Sequence, residues 1–157
     1  MRVRDLLTEQ RTHHAINASS KKMLLDKVAS MVATSVDDIN EQTVFDALIA
    51  REKLGSTGIG EGIAIPHCRL PNCHQPIGLL LQLAEAIDFD AIDNRPVDLV
   101  FVLLVPQDNP EQHLKTLSHL AALFNTDQYR QQLRTAQDTE SLYQCAISSP
   151  TEQQLSP

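Results

Sequence analysis

The sequence predicts a single α/β domain, a sandwich with a mixed parallel and antiparallel sheet flanked by helices. Three observations carry that expectation. Segments with apolar residues at helical spacing alternate with short continuous apolar runs, so helices and strands intermix rather than segregate. The run VDLVFVLLV at 97–105 is apolar and β-branched nearly throughout, which suits a strand covered on both faces near the centre of a sheet. At 157 residues the chain buries a real core but leaves no room for a second full domain. Residues 1–148 read as one unit, and the polar tail 149–157 has little to bury and is expected to fray.

Taken in order, Ser20 caps a helix in which Leu24, Leu25, Val28, Ala29 and Val32 recur on one face, ending near Thr34. Asn40 caps a second helix carrying Val44, Phe45, Leu48 and Ile49 on one face. It stops at Leu54 with Gly55 as its C-terminal glycine, which puts Arg51 in the last turn. Residues 63–65 make a short strand and 77–83 a longer one. After the strand at 97–105, PQDNPEQHLKTLSHLAALF restarts the chain as a helix, with Asn109 as cap, Pro110 at the first helical position and Gln112 three residues after the cap. His113 therefore lies in its first turn. Helices over 127–136 and 139–147, the second capped by Asp138, complete the order.

Composition narrows the function. A net charge of −7, from 13 Lys and Arg against 20 Asp and Glu, argues against a nucleic-acid binder working through a basic surface. No apolar run approaches the roughly 20 residues of a membrane span, and the first residues, MRVRDLLTEQ, lack the apolar core of a secretory signal. A cytoplasmic protein is expected. Three cysteines, Cys68, Cys73 and Cys145, are too few and odd in number for a disulfide framework and read as reduced thiols.

Four of the five glycines fall at positions 55, 58, 60 and 62, inside REKLGSTGIGEGIAIPHCR at 51–69. STGIGEG superficially matches a dinucleotide fingerprint, but that motif needs a strand before the glycines and a helix after them, the reverse of the order here. No Gly-Lys-Ser/Thr follows, so the P-loop fails too. A metal site from His67, Cys68, Cys73 and His74 suffers from poor spacing, adjacent ligands and the neighbouring cation Arg69. No metal or cofactor is expected. The glycines instead read as the flexible wall of a protein docking site.

A phosphoryl-accepting histidine fits better. Pro66 presents His67 from a stiff stem, and a neutral imidazole attacks a phosphoryl group through one nitrogen when the other is held by a hydrogen bond. Such transfer needs in-line positioning and positive charge. Arg51, Arg69 and His113 are the available donors, and His113 follows a strand's C-terminal end at a helix N-terminus, a setting that attracts phosphate. His13, His14, His74 and His119 have no comparable setting and read as surface or satisfied residues.

With these residues in view, the chain resembles the fructose and mannitol type of enzyme IIA (EIIA type 2) of the bacterial phosphoenolpyruvate phosphotransferase system, nearest its nitrogen-regulatory branch. Besides REKLGSTGIGEGIAIPH, the likeness includes FDAID at 89–93, PVDLVFVLLVP at 96–106, HLKTLSHLA at 113–121 and LYQ at 142–144. The resemblance implies that His67 is phosphorylated at Nε2 by a small HPr-like carrier, called NPr in the nitrogen branch. It further implies that Arg51 stabilises the phosphoryl group, that His113 is the second active-site histidine, and that phosphorylation state governs which target proteins are bound. A sugar-specific enzyme IIA passing the group to a IIB domain, or a non-catalytic binding module, are the alternatives. One departure is visible: the family usually has glycine after the active histidine, and this chain has Cys68. A thiol beside the nucleophile raises the possibility of a redox influence on the site.

Overall fold

A computed structural model of the chain describes residues 2–148, so the expected fraying of 149–157 lies outside the described residues. The strand β6 (Val97–Pro106) organises the molecule. Its side chains alternate between two apolar clusters, Val100, Val102 and Leu104 on one face and Leu99, Phe101, Leu103 and Val105 on the other. Both faces are buried, which is why the sequence here is a continuous apolar run rather than an alternating one.

Antiparallel to β6 lies β5 (Ile77–Ile87), and parallel to β5 lies β1 (Thr12–Ile16). The other edge of β6 is shared by two short parallel strands, β3 (Ile63–Ala64) against Leu99 and Val100 and β4 (His67–Leu70) against Leu103 to Pro106. A further strand, β2 (Gly58–Gly60), pairs antiparallel with β3, so the sheet runs β1-β5-β6-β3-β2 with β4 on β6. It is mixed, and β6 is at its centre, as expected. On one face pack α2 (Lys21–Ser35) and α3 (Glu41–Lys53); on the other pack α1 (Val3–Leu6), α4 (Pro110–Phe124), α5 (Asp127–Thr135) and α6 (Thr139–Ile147). The second face is stapled by Phe101, Phe124 and Tyr129, with ring centroids 5.8 and 5.3 Å apart, and the Tyr129 hydroxyl donates to the Ala146 carbonyl at 2.8 Å.

Capping residues largely do what their chemistry predicts. Ser20, Asn40 and Asp138 each accept a backbone N–H from the helix they begin. Asn109 does not. It sits in the left-handed region at φ 62°, ψ 59°, and makes no side-chain cap bond, because capping needs extended backbone and the tight turn out of β6 uses the tolerance of Asn for positive φ instead.

The glycine run also departs from expectation. It is not a flexible wall but a packed hairpin. Glu61 and Gly62, at φ 57° and 78°, form the two-residue turn between β2 and β3. A Cβ on Gly58 would lie 2.8 Å from the Cβ of Ala91, and one on Gly62 would strike the Arg134 guanidinium where it pairs with Asp98 at 2.9 Å. These glycines admit other chain segments to close contact. Only Gly55 faces open space.

Candidate active site

His67 opens β4 at the C-terminal end of the sheet, paired with Leu103, and the Leu103 N–H donates to the Pro66 carbonyl at 2.9 Å. Pro66 and the ladder together hold this residue's backbone rigidly. The imidazole Nδ1 is 2.9 Å from the Ile65 carbonyl oxygen. A carbonyl only accepts, so Nδ1 carries the proton and Nε2 presents its lone pair. That lone pair accepts from Arg51 Nε at 3.2 Å, and Arg51 Nη1 also donates to the Gly55 carbonyl at 2.8 Å. Burial holds the His67 pKa below the usual histidine value; the Ile65 carbonyl opposes this, the Arg51 charge adds to it, and Glu52 opposes it more weakly. The ring is therefore a neutral nucleophile at pH 7, aimed through Nε2.

Around it lies a cavity of about 640 Å³ that also takes in Arg69 and His113. Arg69 is two residues along β4 and so on the same face of the strand as His67. His113, in the first turn of α4, is 8% exposed, and its Nδ1 is buried without a hydrogen-bond partner. Its pKa is lowered by burial first and by the Arg69 charge second, with Asp108 opposing. Two guanidiniums, a helix N-terminus and the His113 imidazole thus line one open cavity, an arrangement suited to an anion. The rim is apolar, with Leu54 and Leu114 84% and 65% exposed.

The structure brings His67, Arg51 and His113 together across sequence separations that only the sheet and α4 close. It does not bring in His13, His14, His74 or His119, none of which lines this cavity. Cys68 borders the cavity but packs into the apolar cluster under α3, and burial, with a smaller contribution from Cys73, pushes its thiol up to about 12. A thiol so protonated is a poor nucleophile, which argues against the redox influence raised by its position.

Sequence reasoning missed Glu52. Its side chain is 5% exposed in the last turn of α3, where the helix dipole disfavours an anion. The carboxylate accepts from Thr57 N–H at 3.1 Å, from the Thr57 hydroxyl, and from Lys21 Nζ at 3.1 Å. An acid at a helix C-terminus beside a candidate site arginine was the available signal.

Comparisons with known proteins bear on this arrangement. Residues 5–148 match the family described as "Phosphoenolpyruvate-dependent sugar phosphotransferase system, EIIA 2". A nitrogen regulatory protein of Pseudomonas aeruginosa is 46% identical over 147 residues, covering 94% of this chain and 96% of the relative. Among solved structures, nitrogen regulatory protein IIA-Ntr of Neisseria meningitidis superposes with a TM-score of 0.85 at 35% identity, covering 92% of this chain and 98% of that one. IIA mannitol of Escherichia coli shares the fold, with a TM-score of 0.73 at 17% identity over 89% of this chain and 98% of that one.

Proposed function

Because the chain belongs to the EIIA type-2 family of the phosphoenolpyruvate-dependent phosphotransferase system, we propose that it is a phosphocarrier of the nitrogen-regulatory branch that accepts a phosphoryl group on His67 Nε2. The donor is a histidine-phosphorylated carrier protein of the HPr or NPr kind. The observation that carries the reading is the polarity of the His67 ring: Nδ1–H is committed to the Ile65 carbonyl, and Nε2 faces a cationic cavity.

In the transfer, the Nε2 lone pair forms the new N–P bond as the N–P bond to the carrier's imidazole breaks, and the carrier's ring leaves with that electron pair. No proton has to be removed from His67, since its nucleophilic nitrogen carries none. Arg51, displaced from Nε2, turns its N–H donors onto the phosphoryl oxygens, neutralising charge that spreads over them in a loose transition state. His113 lines the same cavity and supplies a second donor through its ring. The apolar rim of Leu54 and Leu114 excludes water once the carrier docks.

Regulation follows from charge. A phosphohistidine places negative charge in a cavity whose rim is a docking surface, so targets that fit the empty cationic site are repelled from the filled one. We place this exchange in the cytoplasm; no described helix is long and apolar enough to cross a membrane. The test is incubation with phosphoenolpyruvate, enzyme I and the small carrier. Wild type should gain acid-labile, base-stable phosphate and His67→Ala none; a folded wild type that gains none would defeat the reading. Onward transfer to a purified sugar-specific IIB would assign the chain to sugar uptake instead.

A further inference from the structure

We propose that Glu52 is a positioning residue for phosphoryl transfer, acting on both His67 and Arg51 through Thr57; this rests on those two being the reacting pair. Thr57 is held from one side only by Glu52, through its N–H and its hydroxyl. From that fixed point two chains of contacts run to the site. The Thr57 carbonyl accepts from the Ile65 N–H at 3.0 Å, and the Ile65 carbonyl holds His67 Nδ1 at 2.9 Å. In the other direction, Thr57 anchors the turn that follows α3, and in that turn the Gly55 carbonyl orients Arg51 Nη1 at 2.8 Å.

A carboxylate is suited to this. Every group pointing at it is a donor: Thr57 N–H, the Thr57 hydroxyl and Lys21 Nζ. A glutamine removes the charge that faces Lys21 Nζ, and it keeps the Thr57 contacts only if the Thr57 hydroxyl reverses to accept from the glutamine NH2. Lys21 balances the charge while itself tied to Asp90 at 3.3 Å and to the Phe89 carbonyl at 3.4 Å. Ser56 donates to that same carbonyl at 2.7 Å, closing the turn against the loop before β6. Glu52 touches neither His67 Nε2 nor the cavity, so apart from the weak effect of its charge on the His67 ring, its influence on the site's geometry passes through backbone carbonyls. A displacement on the order of 1 Å at such carbonyls costs about a hundredfold in rate.

The experiment compares Glu52→Gln, Thr57→Val and Thr57→Ser, each verified folded by thermal melting, in single-turnover phosphorylation by the phosphorylated carrier. Nitrogen NMR of the His67 ring gives a second readout that needs no turnover. Glu52→Gln and Thr57→Val should slow transfer about 10- to 100-fold, and His67 should lose its single Nδ1–H tautomer for a mixture. Thr57→Ser, which keeps the hydroxyl, should stay near wild type. Folded Glu52→Gln with a wild-type rate and an unchanged tautomer would overturn the proposal. If Glu52→Gln does not fold, Thr57→Val against Thr57→Ser decides. If wild type itself is never phosphorylated, the phosphocarrier reading fails while the tautomer comparison still decides the role of Glu52.

Discussion

The glycine-rich segment divides into two halves with different contacts. Residues 51–57 are polar at their contacts: Arg51 on His67, Glu52 on Thr57, Thr57 on Ile65. Residues 58–62 are a packed hairpin in which Gly58 lies against Ala91 and Gly62 against Arg134 and Asp98. The first half positions the candidate site residues, and the second holds the edge of the sheet. Glycine beside a reactive residue is therefore no index of mobility; what each Cβ would meet distinguishes the two.

Substitutions should separate the halves. The largest effect is expected in the first. Arg51→Ala should slow phosphorylation about 10²–10³-fold, the usual loss for one donor to a developing anion, while the melting temperature moves far less, since Arg51 is only half-buried on a helix flank that lines the open cavity. Arg51→Lys should recover little, because an ammonium cannot donate to His67 and to the Gly55 carbonyl in one planar fork. Gly58→Ala should do the reverse. It forces a methyl against Ala91 and should cost about 1–3 kcal/mol of stability, seen in denaturant unfolding, with the phosphorylation rate of the remaining folded protein unchanged. A slow but stable Gly58→Ala would break the distinction.

These contrasts also show what the sequence made legible. The continuous apolar run of β6, the period of α2 and α3, and the caps Ser20, Asn40 and Asp138 were all readable because each rests on local chemistry. β1, with the sequence THHAI, and the glycine strand β2 were not, since parallel pairing to β5 and close approach to Ala91 are decided by distant residues. Arg51, His67 and His113 could all be proposed from the residues, but that they line one cavity depends on how β6 delivers α4, which no local pattern shows. Glu52 stayed hidden because its partner Thr57 looks like an ordinary loop residue.

Acid should act through the histidines that the first half positions and leave the hairpin untouched. His67 and His113 titrate below the ordinary histidine value of about 6.5. The transfer rate should be flat around pH 7 and fall as pH drops below about 6.5 and His67 takes up its proton. In the same window the unfolded chain binds more protons than the fold, so stability falls with acid rather than with base. Stopped-flow rates and thermal melts from pH 8 to pH 5 check both signs. The smallest effect belongs to Cys68. Its thiol, pushed up to about 12, should resist alkylation in the native protein while the more exposed Cys145 reacts, and mild oxidation should leave the rate unchanged.

The central claim is that the Ile65 carbonyl commits His67 Nδ1 and so hands the chemistry to Nε2. Nitrogen and phosphorus NMR of the phosphorylated chain tests it directly. The account predicts a phosphorus coupled to Nε2 of His67 with the proton retained on Nδ1. Phosphate on Nδ1, or on a residue other than His67, would contradict it.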